Sequence, residues 1–144
     1  MFVLLQATIS PVRAADLIVL NTDDSGAGSL RQAIVDAEDG DIIHFDSSLY
    51  GQTITLTNGQ LLITKALTIS GPGANVLAIS GNNASRVFYI TTTVTISGVT
   101  IKEGLGSPGG GIYNKGTLDL INSAVLSNAA APSLPAAVSS TWGH

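Results

Sequence analysis

The chain of 144 residues has no cysteine, few charged residues and few aromatic ones. Without cysteine there are no disulfides, thiolate metal ligands or cysteine nucleophiles, and no cysteine usage from which to infer the redox compartment. Charged residues make up 11% and the net charge is −4, which leaves no basic stripe for nucleic acid. No apolar run approaches the length of a membrane span. Hydrophobic residues nevertheless reach 44%, which is typical of a folded protein with an aliphatic core.

A repeated pattern runs through the middle of the chain. Residues 67–71 (LTISG) return as residues 94–98 (VTISG), and the pattern comes back 24 residues later as residues 118–122; Tyr89 is likewise followed by Tyr113. Each copy alternates apolar and polar residues and ends at Gly or Asn, as half-buried strands do. A period near 24 is too short for propeller blades or helical repeats. It predicts an all-β parallel β-helix with three short strands per coil.

One helix precedes the predicted strands. Ser29 and Gln32 have the spacing of a capping box, and Gly40 ends the run, which predicts a helix over residues 29–39. Four apolar residues fall on one face of this helix: Leu30, Ala33, Ile34 and Ala37. Because the open end of a β-helix exposes apolar interior and unpaired backbone, we expect the helix to cap the N-terminal end.

The two ends of the chain depart from the repeat. Residues 1–15 combine a short apolar run with a small-residue pattern and are similar to a signal peptide without a basic start; the alternative is an ordinary apolar strand. The β-helix is predicted to occupy residues 16–128. Residues 129–144 lack the period, so we expect a loose tail and an uncapped last coil through which copies associate end to end. A truncated or frame-shifted gene product is one explanation of this tail.

Three stretches resemble secreted bacterial right-handed parallel β-helix proteins of the pectate-lyase-like superfamily, particularly surface proteins related to polymorphic outer-membrane proteins. They are residues 26–34, residues 67–75 with 79–83, and residues 109–123. In the first, Gly28 and Gln32 replace the Cys and Glu of the family pattern. The resemblance covers about residues 16 to 128. It implies a right-handed coil, secretion or a place at the bacterial cell surface, and an adhesin-like role.

Few residues of the regular coils suit chemistry. Only two of the ten acidic residues lie there, Glu103 and Asp119, and the coil alignment places them on different faces, so no catalytic pair is predicted. The candidates for ligand binding are Arg86, Lys102 and Glu103, which suit contact with a sugar or an acidic polymer. The alternative is that they are solvent-facing charges that aid solubility and block edge pairing.

His44 lies on the strand face opposite its apolar neighbours, and no second His or Cys is near it in the sequence. We therefore expect a hydrogen-bonded strand residue and not a metal ligand or general base. No cofactor or metal site is predicted anywhere in the chain.

The sequence favours a non-catalytic extracellular or cell-surface β-helix segment, an adhesin-like stalk whose expected partners are carbohydrate or a host or cell-surface protein. Two alternatives stay open. One is the N-terminal fragment of a polysaccharide-active enzyme whose catalytic coils lie beyond His144. The other is a truncated product without independent function.

Overall fold

The computed structural model describes residues 14–132, which form a parallel β-solenoid of about four turns. Each turn takes about 25 residues and contributes one strand to each of three sheets. The predicted all-β parallel β-helix with three strands per coil is thus confirmed. The predicted signal-like segment and tail fall almost wholly outside the described residues.

The strands are three to five residues long, because a turn interrupts the chain at every corner of the coil. Along the described part of the chain the elements follow in this order: β1 (Asp16–Val19), α1 (Leu30–Asp36), β2 (Ile42–Phe45), a short 3-10 helix (Ser47–Leu49), β3 (Thr53–Thr55), β4 (Leu61–Ile63), β5 (Leu67–Ser70), β6 (Ala78–Ser80), β7 (Phe88–Ile90), β8 (Thr93–Ser97), β9 (Thr100–Lys102), β10 (Ile112–Asn114), β11 (Thr117–Ile121) and β12 (Ala124–Leu126).

Every strand pairs in parallel with its equivalent one turn away. The first sheet has the order β1-β2-β5-β8-β11, the second β3-β6-β9-β12 and the third β4-β7-β10. In the first sheet Leu67 lies beside Val94, and Val94 lies beside Leu118. In the third sheet Tyr89 lies beside Tyr113. Both repeats in the sequence therefore correspond to the pairing register between turns.

Inward-facing side chains form columns along the axis of the solenoid. One column in the first sheet consists of Leu17, Ile43, Ile69, Ile96 and Leu120. A second column, in the second sheet, consists of Ile54, Ile79, Ile101 and Val125. The members of the middle turns are fully buried. Because the same space recurs in each turn, aliphatic residues at one repeated position are enough to fill the interior.

The helix α1 lies at the N-terminal end of the solenoid. It contacts β1 and β4, which are the end strands of the first and third sheets. Its apolar residues Leu30, Ala33 and Ile34 are buried in the same core as the inward columns. The helix therefore covers interior that a preceding turn would otherwise have covered.

The helix is shorter than its predicted range. The Ser29 hydroxyl accepts the N–H of Gln32, as expected of an N-cap, but the Gln32 side chain donates to Asp36 and does not return to the cap, so the capping box is half formed. Helical geometry ends at Asp36, because Ala37 has a ψ of 145°. The Lys65 ammonium donates to the carbonyl oxygens of Val35 and Ala37 and satisfies this end.

The opposite end of the described solenoid is open. In the first sheet Leu120 is 40% exposed, although its equivalent Ile96 is fully buried. In the second sheet Val125 is 47% exposed, although Ile101 beside it is fully buried. Backbone pairing continues past residue 128, since the N–H of Ala129 donates to the Gly104 carbonyl.

Two glycines allow neighbouring turns to approach closely at one corner. Gly98 has a φ of +65°, and a Cβ at this position would lie 2.4 Å from the carbonyl oxygen of Gly71. The N–H of Gly73 also donates to the Gly98 carbonyl at 2.7 Å. Both the backbone conformation and the close contact therefore require glycine at this corner.

We expect Gly98→Ala to destabilise the protein more than Gly26→Ala, which serves as its matched control. Gly26 also has a positive φ, of +90°, but a Cβ there meets no atom within 4 Å. The difference between the two losses of stability thus isolates the cost of the contact with Gly71. Overpacking of this kind costs about 1–3 kcal/mol. Urea unfolding followed by far-UV circular dichroism measures both variants. Equal losses would show that the close contact is relieved without cost.

Candidate functional site

The three predicted ligand-binding residues do not form one site. Arg86 precedes β7 in the third sheet, whereas Lys102 ends β9 in the second sheet and Glu103 follows it. The Lys102 ammonium lies 3.7 Å from the Glu103 carboxylate. The structure therefore separates the candidates into one arginine at one corner and an adjacent ion pair at another.

The Glu103 carboxylate is engaged with the preceding turn. It accepts a hydrogen bond of 2.5 Å from the hydroxyl of Ser80, which is only 1% exposed. Ser80 also accepts the N–H of Asn82 through the same hydroxyl oxygen. Glu103 itself has a φ of +53°. These contacts make Glu103 part of the corner, and its carboxylate satisfies a buried hydroxyl.

The two carboxylates of the regular turns lie in separate sheets. Asp119 belongs to β11 in the first sheet and lies beside Thr95, in the register predicted from the sequence. Glu103 follows β9 of the second sheet. Paired-carboxylate hydrolysis requires two groups on either side of one bond. Two carboxylates on different faces of the solenoid do not meet this requirement.

His44 is a hydrogen-bonded strand residue, as predicted. One of its ring nitrogens lies 3.1 Å from the Asp16 carboxylate, and its side chain is 44% exposed. Its neighbours Ile43 and Phe45 are buried. His44 therefore belongs to the outer face of the first sheet.

Within residues 14–132, no three His, Asp or Glu side chains come together in a group that suits a metal ion. One surface depression, lined by residues 51–53 and 74–78, has a volume of about 160 Å³. Pockets for drug-sized ligands have about 300–1,000 Å³.

None of the helices in this part of the chain has the length and apolar character needed to cross a membrane.

Arg86 links three successive turns. Its Nη1 donates to Gln60 Oε1 at 2.6 Å in the turn before, and its Nη2 donates to the Pro108 carbonyl at 2.6 Å in the turn after. Its Nε donates to the Gly109 carbonyl at 2.7 Å. A charged fork that spans neighbouring turns in this way holds their corners in register.

Arg31 makes the corresponding link at the N-terminal end. From α1 its Nη1 donates to the Gln60 carbonyl at 2.9 Å, and its Nη2 donates to the Gly59 carbonyl at 2.7 Å. Gln60 thus accepts a hydrogen bond from Arg31 at its backbone carbonyl and one from Arg86 at its side-chain oxygen. These contacts could not be predicted from the sequence, because they depend on corner conformations and not on the strand repeat.

A ladder of three side chains lies on the outer face of the third sheet beside Arg86. Leu62, Tyr89 and Tyr113 occupy equivalent positions in β4, β7 and β10, and we call them the aromatic ladder. The two tyrosine rings stack with centroids 5.1 Å apart and planes 16° apart. The Arg86 guanidinium carbon lies 5.8 Å from the Tyr89 centroid and 5.0 Å from that of Tyr113. The 24-residue recurrence of tyrosine, in a chain with only three tyrosines, was the available sequence signal.

Asp24 secures the base of α1. Its carboxylate accepts hydrogen bonds from Arg31 Nη2 at 2.8 Å and from the N–H of Asn58 at 2.7 Å. Burial by itself raises the pKa of this carboxyl. The hydrogen bonds from Arg31, Thr57 and Asn58, together with the Arg31 charge, outweigh burial and hold the pKa of Asp24 below its usual 3.8.

Two further carboxyl groups near the N-terminal end behave in the same way. The N–H groups of Glu38 and Ala15 donate to Asp41 and lower its pKa, against an opposing effect of burial. The hydroxyl and N–H of Ser48 lower the pKa of Asp46. All three shifted carboxylates therefore lie in the first third of the chain, around the helix and the first turn.

The sheets and their stacked side chains define the chain as a parallel β-solenoid repeat protein. No model of a known protein family matches it, and neither a curated protein nor a solved structure is significantly similar to it. The likeness to secreted bacterial surface proteins thus stays a prediction that depends on the three motifs in the sequence.

Acid should destabilise the protein through Asp24, and Asp24→Asn should reduce this effect. A carboxylate whose folded pKa lies below its unfolded value stabilises above the unfolded pKa, and this stabilisation is lost as the pH falls through the folded pKa. We therefore expect the free energy of unfolding of the wild type to decrease as the pH drops below about 4. The Asp24→Asn variant should be less stable than the wild type at neutral pH. It should also lose less stability than the wild type on acidification.

The control for this experiment is Asp23→Asn. Asp23 is the exposed neighbour of Asp24 and makes none of the contacts with Arg31 or Asn58. Urea midpoints at a series of pH values compare the three proteins. If Asp24→Asn and the wild type lost stability in parallel on acidification, the proposed contribution of Asp24 would be wrong.

Proposed function

We propose that this chain is a non-catalytic extracellular or cell-surface β-solenoid segment, a rigid stalk that presents ligand-binding side chains on its lateral faces. The observation that supports this proposal most is the unbroken parallel pairing of three sheets around one apolar core. In such a coil each middle strand is hydrogen-bonded on both sides, so local opening breaks pairs with two turns at once. The strands therefore resist local opening, and a stalk that is exposed to proteases needs this resistance.

The distribution of functional groups also favours presentation over catalysis. The carboxylates of the regular turns, Glu103 and Asp119, lie in different sheets, and Glu103 is engaged with Ser80. A polysaccharide-active enzyme would need carboxylates together on one face. The lateral faces instead carry rows of outward side chains in register from turn to turn, as the aromatic ladder does. Rows of this kind suit an extended ligand.

The stalk also makes end-to-end contacts through the open end of the described solenoid. At that end β10, β11 and β12 are the edge strands of their sheets, and Leu120 and Val125 expose surface that is buried in the turn before. Residues 104–132 contain a single basic residue and a single acidic one, Lys115 and Asp119. Two copies can therefore bring these ends together with little charge repulsion, whereas α1 covers the other end.

Leu120→Lys should weaken this association, because it places a charge on the inward column at the open end. We expect the wild type to sediment partly as a dimer and the variant as a monomer at the same concentration. Ile18→Lys is the control, since Ile18 is 55% exposed but lies at the helix-covered end. Sedimentation velocity measures all three proteins. A monomeric wild type, or equal effects of both substitutions, would contradict end-to-end contact through this surface.

The proposed location and lack of catalysis are tested on cells and on the purified protein. Antibodies against the protein should label intact cells that make it, and the protein should release no oligosaccharide from polysaccharides. Labelling that requires lysis would contradict the surface location. Polysaccharide cleavage that is lost in Glu103→Gln or Asp119→Asn would contradict the non-catalytic role.

A further inference from the structure

We propose that the aromatic ladder, together with Arg86, is a binding site for pyranose rings of a glycan. This inference rests on the proposed ligand-presenting function and assigns that function a place and a ligand class. The site is a lateral strip on the third sheet, where Leu62, Tyr89 and Tyr113 follow one another at the strand spacing of about 4.8 Å. Because the two tyrosine rings stack on each other, the strip presents to a ligand their edges, their hydroxyl groups and the face of Tyr113 that does not stack on Tyr89.

The ladder keeps exposed surface after the two tyrosine rings have stacked on each other. Leu62 is 48% exposed, and both tyrosines are partly exposed. Their hydroxyl groups take no part in the hydrogen bonds found among the described residues. Tyrosine combines an apolar ring with a polar edge, and this combination suits a sugar, which has C–H groups on its faces and hydroxyls on its rim.

The position of Arg86 leaves the face of Tyr113 that points away from Tyr89 uncovered by the guanidinium. The guanidinium carbon lies 5.8 Å and 5.0 Å from the two ring centroids, which are themselves 5.1 Å apart. A guanidinium stacked on the far face of Tyr113 would lie roughly twice the stacking distance from Tyr89. The three nearly equal distances therefore place Arg86 against both rings and not on the face of Tyr113 that points away from Tyr89.

Arg86 keeps hydrogen-bond donors after its structural contacts are made. A guanidinium has five N–H donors. Contacts to Gln60, Pro108 and Gly109 use the Nε donor and one donor on each Nη, so one N–H on Nη1 and one on Nη2 have no acceptor among the described residues. Because the same contacts immobilise the side chain, the two donors are held in place next to the rings, and little rotamer entropy is lost on binding.

The charge around the strip admits neutral and acidic sugars. Residues 47–102 contain no Asp or Glu, and basic residues stand near each strand of the third sheet: Lys65 after β4, Arg86 before β7 and Lys115 after β10. The acidic residues concentrate instead near α1 and the first turn. A uronate carboxylate would meet the Arg86 guanidinium beside the rings, and a neutral sugar would meet the same rings and donors.

A microarray of neutral and uronate-containing pyranose glycans tests the proposal, followed by calorimetric titration with the oligosaccharide that binds best. We expect the wild type to bind, and Tyr113→Ala to bind about tenfold more weakly, since it removes one ring of the strip. Tyr113→Phe, which keeps the ring, should stay within about threefold of the wild type. Raising the salt should weaken binding of acidic glycans and leave neutral ones nearly unchanged.

Tyr50→Ala is the matched control, because Tyr50 is 49% exposed but lies outside the third sheet. Leu62→Ala is a second ladder variant for the case in which Tyr113→Ala disturbs β10, and circular dichroism checks the fold of each. A wild type that binds no glycan on the array would overturn the proposal. Binding of acidic glycans alone that survives both ladder variants would also overturn it, because it would then be nonspecific charge attraction.

Failure of this site is distinguishable from failure of the proposed function. If antibodies label the protein on intact cells and it cleaves no polysaccharide, yet it binds no glycan, the proposed stalk function stands and only the proposed ladder site is wrong. If the protein is confined to the cell interior and still binds glycans through Tyr113, the proposed ladder site stands and the proposed surface function is wrong.

Discussion

Backbone hydrogen bonding between equivalent strands of successive turns is the constraint on which the rest of this structure depends. It fixes neighbouring turns about 4.8 Å apart and makes each residue the neighbour of its own equivalent. A side chain in one turn is therefore packed mainly by the side chain at the same position in the next. The column of Ile43, Ile69 and Ile96 follows from this, and so does the tyrosine stack on the outer face.

Corners have to obey the same spacing, although their sequences do not repeat. Where two turns approach closely, the chain uses glycine, as Gly71 and Gly98 show. Where corners differ in length, a long side chain bridges them, as Arg86 does between Gln60 and Gly109. The coil thus tolerates turns of unequal length, because the strands set the spacing and the corner residues absorb the difference.

The sequence allowed prediction of those features that repeat and missed those that do not. The period of 24 and the equivalence of Tyr89 with Tyr113 were visible, because strand pairing requires like residues at matched positions. The links from Arg31 and Arg86 were not visible, because their acceptors are mostly carbonyl oxygens whose positions depend on corner conformation. The helix was predicted in place but too long, since its end depends on a contact with Lys65 from a later turn.

Stacking also explains why a lateral face of a solenoid can carry function where its interior cannot. Inward positions are restricted by the neighbouring turns to apolar residues that together fill the interior. Outward positions have the same register but no packing requirement from the core, so Leu62 and Tyr89 can differ at one ladder position. A residue that repeats outward therefore calls for a reason other than core packing. Stacking between the tyrosines supplies part of that reason, and the donors that Arg86 holds beside them supply a polar component that stacking alone does not require.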